Sequence, residues 1–406
     1  METIQQAIRR KAAGCTCGNH HPLALETIMI EAGALKYVAP YLIENSWRRT
    51  VIVADDHTCE AAGQQLMDRL SAAGIDCHLC LVKPDRQGDV VADEAALVQV
   101  MLEISPDDDI LVAVGAGTIH DMVRWIASKM NKPFVSVPTA PSVDGFTSKG
   151  APILIRGEKK TIPAGAPVAL FADLEVLAKA PAALIAAGYG DMLGKYTSLF
   201  DWTFSHWIAD EPYCPAAAEI TAEALSACVD HTEEIARRSE EGIQILMSSL
   251  IQSGLAMQLF GQSHPASGSE HHLSHYWEME YLRLGKKQLL HGAKIGVASM
   301  EISALYHKLG SCGEFPLRSG LESTDLVKGD RILARWEDIR KRISEIPSPD
   351  RLRELLGRME GPTAPEELGI GSELLQRSMR EAHRVRDRYT LLKAFNELGA
   401  GSAHLT

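Results

Sequence analysis

Residues 50–173 repeat one pattern: a short, nearly all-apolar run rich in Val and Ile, a turn holding glycine or acid, then an amphipathic stretch. Residues 50–54, 76–82, 109–114, 134–138 and 167–173 read as strands. Residues 59–73, 89–104 and a stretch through Lys129 read as helices between them. Strands that are apolar on both faces need cover on both faces, and crossover helices supply it. The pattern therefore predicts a parallel sheet in an α/β layer architecture. Such sheets take ligands at the carboxyl ends of their strands, where glycines and acids fall here.

Beyond Ala180 the β-branched runs fade. Residues 216–237, 244–262, 291–309 and 384–398 have helical spacing, with Leu309-Gly310 and Leu398-Gly399 read as C-terminal caps. A chain of 406 residues is long for one compact domain. The expected division is a Rossmann-like α/β domain at 1–180 and an all-helical domain at 181–406, with the active site in the cleft between them. The charged stretch 336–358 reads as a solvated helical surface.

Charge excludes one class of partner. The chain carries a net charge of −12, spread along its length, and an acidic surface repels phosphate backbones, so nucleic-acid binding is not expected. No stretch approaches the roughly 20 uninterrupted apolar residues of a membrane helix, and residues 1–10 carry charges where a signal peptide needs apolar ones. The eight cysteines then read as reduced thiols, and the cytoplasm is the expected location. A homodimer is expected only because it is the commonest symmetry.

Residues 112–121 read VAVGAGTIHD: a buried strand, a turn through Gly115 and Gly117, then a helix. Glycines let the backbone approach a pyrophosphate, and a helix N-terminus presents free N–H groups to it. The spacing is not GxGxxG, so an ordinary strand-to-helix turn is the competing reading. Asp55, ending the first strand, is placed either to accept hydrogen bonds from an adenosine ribose, which favours NAD over NADP, or simply to cap the next turn. A second loop, PTAPSVDGFTS, is stiffened by two prolines and is dense in short hydroxyl side chains, which favours ligand contact.

Three positions suggest a metal. Asp191 follows Gly188-Tyr189-Gly190, with glycines opening onto a helix that carries Lys195 one turn later. His271 and His275, four residues apart in SGSEHHLSH, share a helical face, and His291 opens another helix in HGAKIG. One carboxylate and two imidazoles suit a divalent metal with an open coordination position. Elsewhere, Cys15 and Cys17 with His20 and His21 offer ligands for an extra zinc, but the spacing matches no standard knuckle, so ordinary N-terminal packing is preferred. Cys77 and Cys80 form a CxxC whose strand alternation sends the two thiols to opposite faces.

The series GAGTIHD, PTAPSVDGFTS, GYGD, SGSEHHLSH and HGAKIG, in that order over nearly the whole chain, resembles the glycerol-1-phosphate dehydrogenase family, its bacterial branch above all. That family sits among iron-type alcohol dehydrogenases, glycerol dehydrogenases and dehydroquinate synthases. The resemblance implies that Asp191, His271 and His291 bind the metal, zinc or nickel. It implies that Gly117, Thr118, Ile119, His120 and Asp121 contact NAD(H) or NADP(H), together with Thr139, Ala140, Pro141, Ser142 and Ser148. Asp144, Asp191 and His275 would contact substrate. Ala116 departs from a usual glycine, which a negative φ would accommodate. The implied reaction interconverts dihydroxyacetone phosphate and sn-glycerol 1-phosphate. His275 relays the proton as a residue type titrating near neutrality, and Lys160 balances the phosphate charge. The rivals are an unphosphorylated polyol dehydrogenase and a dehydroquinate-synthase-like lyase.

Overall fold

The computed structural model describes residues 3–400 apart from Asn19, Ala24 and Leu321. Its strands are β1 (Thr27–Glu31), β2 (Arg49–Ala54), β3 (Asp76–Leu81), β4 (Ile110–Gly115), β5 (Phe134–Pro138), β6 (Gly150–Ile155), β7 (Glu158–Pro163) and β8 (Ala169–Asp173). Six of them form one parallel sheet in the order β1-β8-β5-β4-β2-β3, while β6 and β7 pair as an antiparallel hairpin. The two-residue period splits each central strand between two cores. Val51, Val53, Leu111 and Ala113 face one side with the helices Glu94–Glu103 and Gly117–Lys129. Ile52, Ala54, Ile110, Val112 and Val114 face the other, with Val38–Glu44 and Gln64–Ala72. Each such aliphatic side chain, fully withdrawn from water, contributes about 1.5–3 kcal/mol, so burial on both faces is what holds the sheet between its helices. Cys80 joins the first core and Cys77 packs beside the second, as the alternation predicted. The chain reverses direction across the sheet between β2 and β4, so the loops after Ala54 and Gly115 diverge there and leave a crevice.

From Ala182 onward the described residues are mainly helical. The helix Glu240–Phe260 is long and apolar enough to cross a membrane, but most of it is buried in the helical core. The helix Ile4–Ala13, ahead of the sheet, packs on Pro215–Asp230 and Glu240–Phe260, with Ile8 in the core they share.

Four readings change. Residues 216–237 are two helices, Pro215–Asp230 and Thr232–Ala236, separated at His231. Gly310 lies inside the helix His291–Gly310, where a Cβ would sit 3.1 Å from Ile343, so packing rather than capping explains it. The charged helices Trp336–Ser344 and Pro349–Arg358 bury an apolar stripe, including Trp336, Ile339, Leu352 and Leu356, beneath their solvated faces. Residues 384–398 are not one helix: Thr390 caps Leu391–Leu398 by accepting from the Lys393 N–H, and the preceding stretch runs as a loop. Spacing alone could not show that break, because arginines suit a helix as well as a loop.

Candidate active site

At the crevice, β4 ends at Gly115 in register with Pro138 of β5, which sets the two glycine- and proline-bearing loops side by side. A Cβ on Gly115 would meet Ile119 at 2.7 Å, so the residue is needed for close packing of helix on strand. Ala116 caps the helix Gly117–Lys129 with φ −91°, a conformation any residue accepts. Its side chain makes no capping bond, which leaves the first-turn N–H groups of Gly117, Thr118 and Ile119 for an anion. The side chains of Ile119 and His120 point inward. Ile119 joins the sheet core, and His120 bonds the Ala116 carbonyl at 2.9 Å and the Ser136 hydroxyl at 2.7 Å, so at both positions only the backbone is left to meet a ligand. Burial drives the His120 imidazole down to about 3 and keeps it neutral. Asp121 pairs with the buried Arg124 at 2.6 Å, and Arg124 in turn donates to the Gly145, Phe146 and Gly150 carbonyls, pinning the second loop to this helix. Asp55 caps the following helix, accepting from the Thr58 N–H at 2.8 Å through one carboxylate oxygen. Ser148 bonds to the backbone of Gly150.

The metal candidates meet because two helices cross at backbone contact. Gly188 and Gly190 lie inside the helix Ala182–Leu193 rather than ahead of it. A Cβ on Gly188 would come within 1.8 Å of the Pro141 carbonyl oxygen, and one on Gly190 within 2.5 Å of that of Gly292. A Cβ on Gly292 would likewise come within 1.8 Å of the Ala187 carbonyl oxygen. That approach brings Asp191 beside His291, the first residue of His291–Gly310, and Ser269–Arg283 adds His271. One donor atom from each of the three residues lies within 4.8 Å of the others. The His271 and His291 ring centroids are 5.3 Å apart, and His275 stands 6.4 Å from each.

This donor set fits a divalent metal. His271 Nδ1 bonds Glu270 at 2.7 Å, and Glu270 is itself held by the Thr197 hydroxyl and the Gly268 N–H, both at 2.6 Å. A carboxylate behind an imidazole fixes the tautomer and frees Nε2 as a ligand. Burial, reinforced by Lys195, pushes His271 down to about 3, and burial with neighbouring His271 pushes His291 well below its usual range, so both present lone pairs. Asp191 accepts from Lys195 at 2.8 Å and from the Asp144 N–H at 2.9 Å, one bond to each carboxylate oxygen, and each oxygen keeps a further lone pair. Lys195, fully buried, also pairs with Asp144 at 2.8 Å. Burial opposes its charge, but the two carboxylates overcome that and raise its pKa. Asp144 accepts from the Ser253 hydroxyl at 2.8 Å as well, the partner that sequence alone did not supply.

Beside the triad lies a basic wall. Glu278 is paired with Lys159 at 2.8 Å and Lys294 at 3.3 Å, and Arg386 donates to His275 Nε2 at 2.9 Å. Arg386 also reaches Ser263 and Ser267 at 3.4 and 3.3 Å. Burial opposes the Glu278 carboxylate, but Lys294 and Lys159 hold it down at about 2, while burial lowers Lys294 to about 8 against the pull of Glu278. Lys159 and Lys294 therefore share one carboxylate, with Arg386 beside them on His275. Two expectations fail here. Lys160 is exposed and pairs with Glu158 at 3.1 Å, because strand alternation turns Lys159 inward instead. His275 does not titrate near neutrality: burial first, then Arg386, push it well below. Arg386 was hidden by the false helix at 384–398, and its only advance signal was the alternation of Arg384, Arg386 and Arg388 in RVRDRY.

Residues 29–181 match a family model described as iron-containing alcohol dehydrogenase. The chain is 50% identical over 403 residues to a glycerol-1-phosphate dehydrogenase [NAD(P)+] of Geobacillus stearothermophilus, covering 98% of each. It is 42% identical over 376 residues to one of Bacillus subtilis, covering 93% of this chain and 92% of that relative. Among solved structures it is similar to glycerol dehydrogenase from Schizosaccharomyces pombe, with TM-score 0.67, 18% identity, and 91% and 85% of the two chains covered. Sulfoacetaldehyde reductase from Bifidobacterium kashiwanohense in complex with NAD+ gives TM-score 0.64 at 14% identity over 95% and 96%.

Proposed function

The chain belongs to the glycerol-1-phosphate dehydrogenases, and from that membership we propose that it interconverts dihydroxyacetone phosphate and sn-glycerol 1-phosphate with NAD(H) or NADP(H). The observation that carries the phosphorylated substrate is the excess of Lys159, Lys294 and Arg386 over Glu278 beside the triad. A dianionic phosphate offsets that excess, and the Arg386 guanidinium gives two of its oxygens a planar fork.

Asp191, His271 and His291 would hold the metal, and either zinc or nickel accepts that donor set. When bound, the metal supplies Lewis-acid stabilisation of negative charge on the substrate oxygen, and the nicotinamide donates or accepts the hydride. Lys195 holds Asp191 and Asp144 in place through an ion pair to each, Glu270 orients His271, and Asp144 holds the loop beside the substrate. The first-turn N–H groups of Gly117, Thr118 and Ile119 receive the pyrophosphate. Thr139, Ala140, Pro141, Ser142 and Ser148 line its path, and Gly115 lets the chain turn toward it. In the neutral tautomer His275 accepts from Arg386 at Nε2 and carries its proton at Nδ1. A phosphate drawn to Arg386 offsets the cation that, after burial, most opposes a second proton on His275, which suits it to relay a proton once substrate is bound. The division at residue 180, a homodimer and a cytoplasmic location complete the reading.

Steady-state rates on glycerol 1-phosphate, glycerol 3-phosphate and glycerol test it. Preference for glycerol 1-phosphate with net NAD(P)H formation is expected. Preference for unphosphorylated glycerol would overturn the substrate, and turnover without net reduced cofactor would favour a lyase. Elemental analysis with chelation and metal add-back identifies the ion.

A further inference from the structure

The thiols near the N-terminus pack against the helical core and also converge with one histidine and a distant cysteine. Cys15, Cys17 and His20 follow the helix Ile4–Ala13, and Gly18 turns the chain at φ +70° between them. The fourth member comes from far along the chain: Cys214, whose sulfur caps the helix Pro215–Asp230 by accepting from the Ala217 N–H at 3.4 Å. His21, the other candidate, points elsewhere, against Gly261. One donor atom from each of Cys15, Cys17, His20 and Cys214 lies within 4.8 Å of the rest. His20 Nε2 is 3.4 Å from both the Cys17 and Cys214 sulfurs, and the Cys15 and Cys214 sulfurs are 4.0 Å apart.

A tetrahedral zinc with sulfur ligands at about 2.3 Å and nitrogen at about 2.0 Å spaces its sulfurs about 3.8 Å apart and sulfur from nitrogen about 3.5 Å. These three edges fit that tetrahedron, and the remaining three lie within 4.8 Å. The Cys15–Cys214 pair is far longer than the roughly 2.05 Å of a disulfide, and all eight cysteines are free.

We propose that Cys15, Cys17, His20 and Cys214 form a closed structural zinc site, distinct from the active-site metal, that fastens the N-terminal segment to the helical domain. Three thiolates and one imidazole fill all four positions of a tetrahedral ion, leaving none open for chemistry. Their softness selects zinc, whereas Asp191, His271 and His291 offer only oxygen and nitrogen. Uptake of Zn2+ releases the three thiol protons to solvent, and His20 binds neutral, so the step involves no change of oxidation state. The clip joins residues 199 apart in the chain, closing a very long loop. Otherwise the segment is held by Ile8 in the core, the pairing of Lys11 with Glu219 and Glu223, and the His21 N–H to the Leu259 carbonyl at 2.7 Å.

The test compares the purified full chain with C17S and H20Q, at half-buried positions where substitution leaves the helix cap intact, and with H271A. Metal analysis of the wild type should give two equivalents per chain. Each N-terminal variant should lose the zinc and keep the active-site metal, and H271A should do the reverse. Loading with Co2+ should produce a near-ultraviolet thiolate-to-cobalt band, absent in C17S and retained in H271A. A single equivalent that C17S retains, a cobalt spectrum lacking the thiolate band, or a Cys15–Cys214 disulfide in the freshly purified reduced protein would each overturn the proposal.

Discussion

Replacing Arg386 with alanine separates phosphate recognition from the chemistry at the triad. Its guanidinium donates to His275 at 2.9 Å and reaches two serine hydroxyls, but does not bond Asp191, His271 or His291. A hydrogen bond to a charged group is worth about 1.5–3 kcal/mol. At about 1.4 kcal/mol per decade, its loss raises KM for glycerol 1-phosphate roughly 10- to 100-fold. The residue is half-buried, so screening favours the lower half of that range. A second effect follows from the same contact. After burial, Arg386 is the largest influence holding the His275 pKa down, so its removal should shift the acidic limb of the rate profile upward in pH. The assay is kcat and KM for glycerol 1-phosphate and for glycerol between pH 5 and 9, with R386K as the variant that keeps charge without the fork. Metal content should not change. An equal loss on both substrates, or an unchanged KM for the phosphorylated one, would refute the assignment.

The adjacent lysines of β7 should behave oppositely: K159M raises KM for the phosphorylated substrate by about tenfold or more, whereas K160M, exposed and paired only with Glu158, leaves it unchanged. E270Q weakens the bond that orients His271 and should lower metal affinity roughly 10- to 100-fold in a chelator competition while the fold persists. G188A places a methyl against the Pro141 carbonyl and should cost about 1–3 kcal/mol or more of stability by denaturant melt, with KM for the nicotinamide raised as the loop shifts. His120, held at about 3 by burial, is neutral in both states above about 6.5. Below that the unfolded chain gains a proton that the folded one refuses, so stability falls as pH drops from about 6.5 toward 3. Thermal unfolding across that range should show H120N with a slope shallower by about 1.4 kcal/mol per pH unit, and an identical slope would exclude His120 as a contributor.

Local periodicity carried most of the architecture. The continuous apolar runs of β2, β4, β5 and β8 announced the parallel sheet, because a strand buried on both faces is written in consecutive apolar residues. β1 and the β6–β7 hairpin were not foreseen: they are short, only partly buried strands outside the repeating strand–helix rhythm, and β7 is mainly polar. The triad was legible because its residues lie in distinctive short strings, whereas the basic wall was not. Arg386 and His275 are 111 residues apart, and no spacing rule links a loop arginine to a helical histidine.

By itself, then, the amino-acid order determined the layer architecture, the glycine turn at Gly115 and the residue types of Asp191, His271 and His291. All of these depend on backbone dihedrals and on hydrophobic periods spanning a few residues. Tertiary structure alone decided which lysine of the pair Lys159 and Lys160 faces the site. It also decided that Glu270 backs His271 and Lys195 bridges Asp144 and Asp191, and that Cys214 rather than His21 completes the N-terminal cluster. Those outcomes follow from how helices approach once glycines such as Gly188 and Gly292 admit backbone contact. That approach is a property of packed surfaces, which side-chain order along one element does not encode.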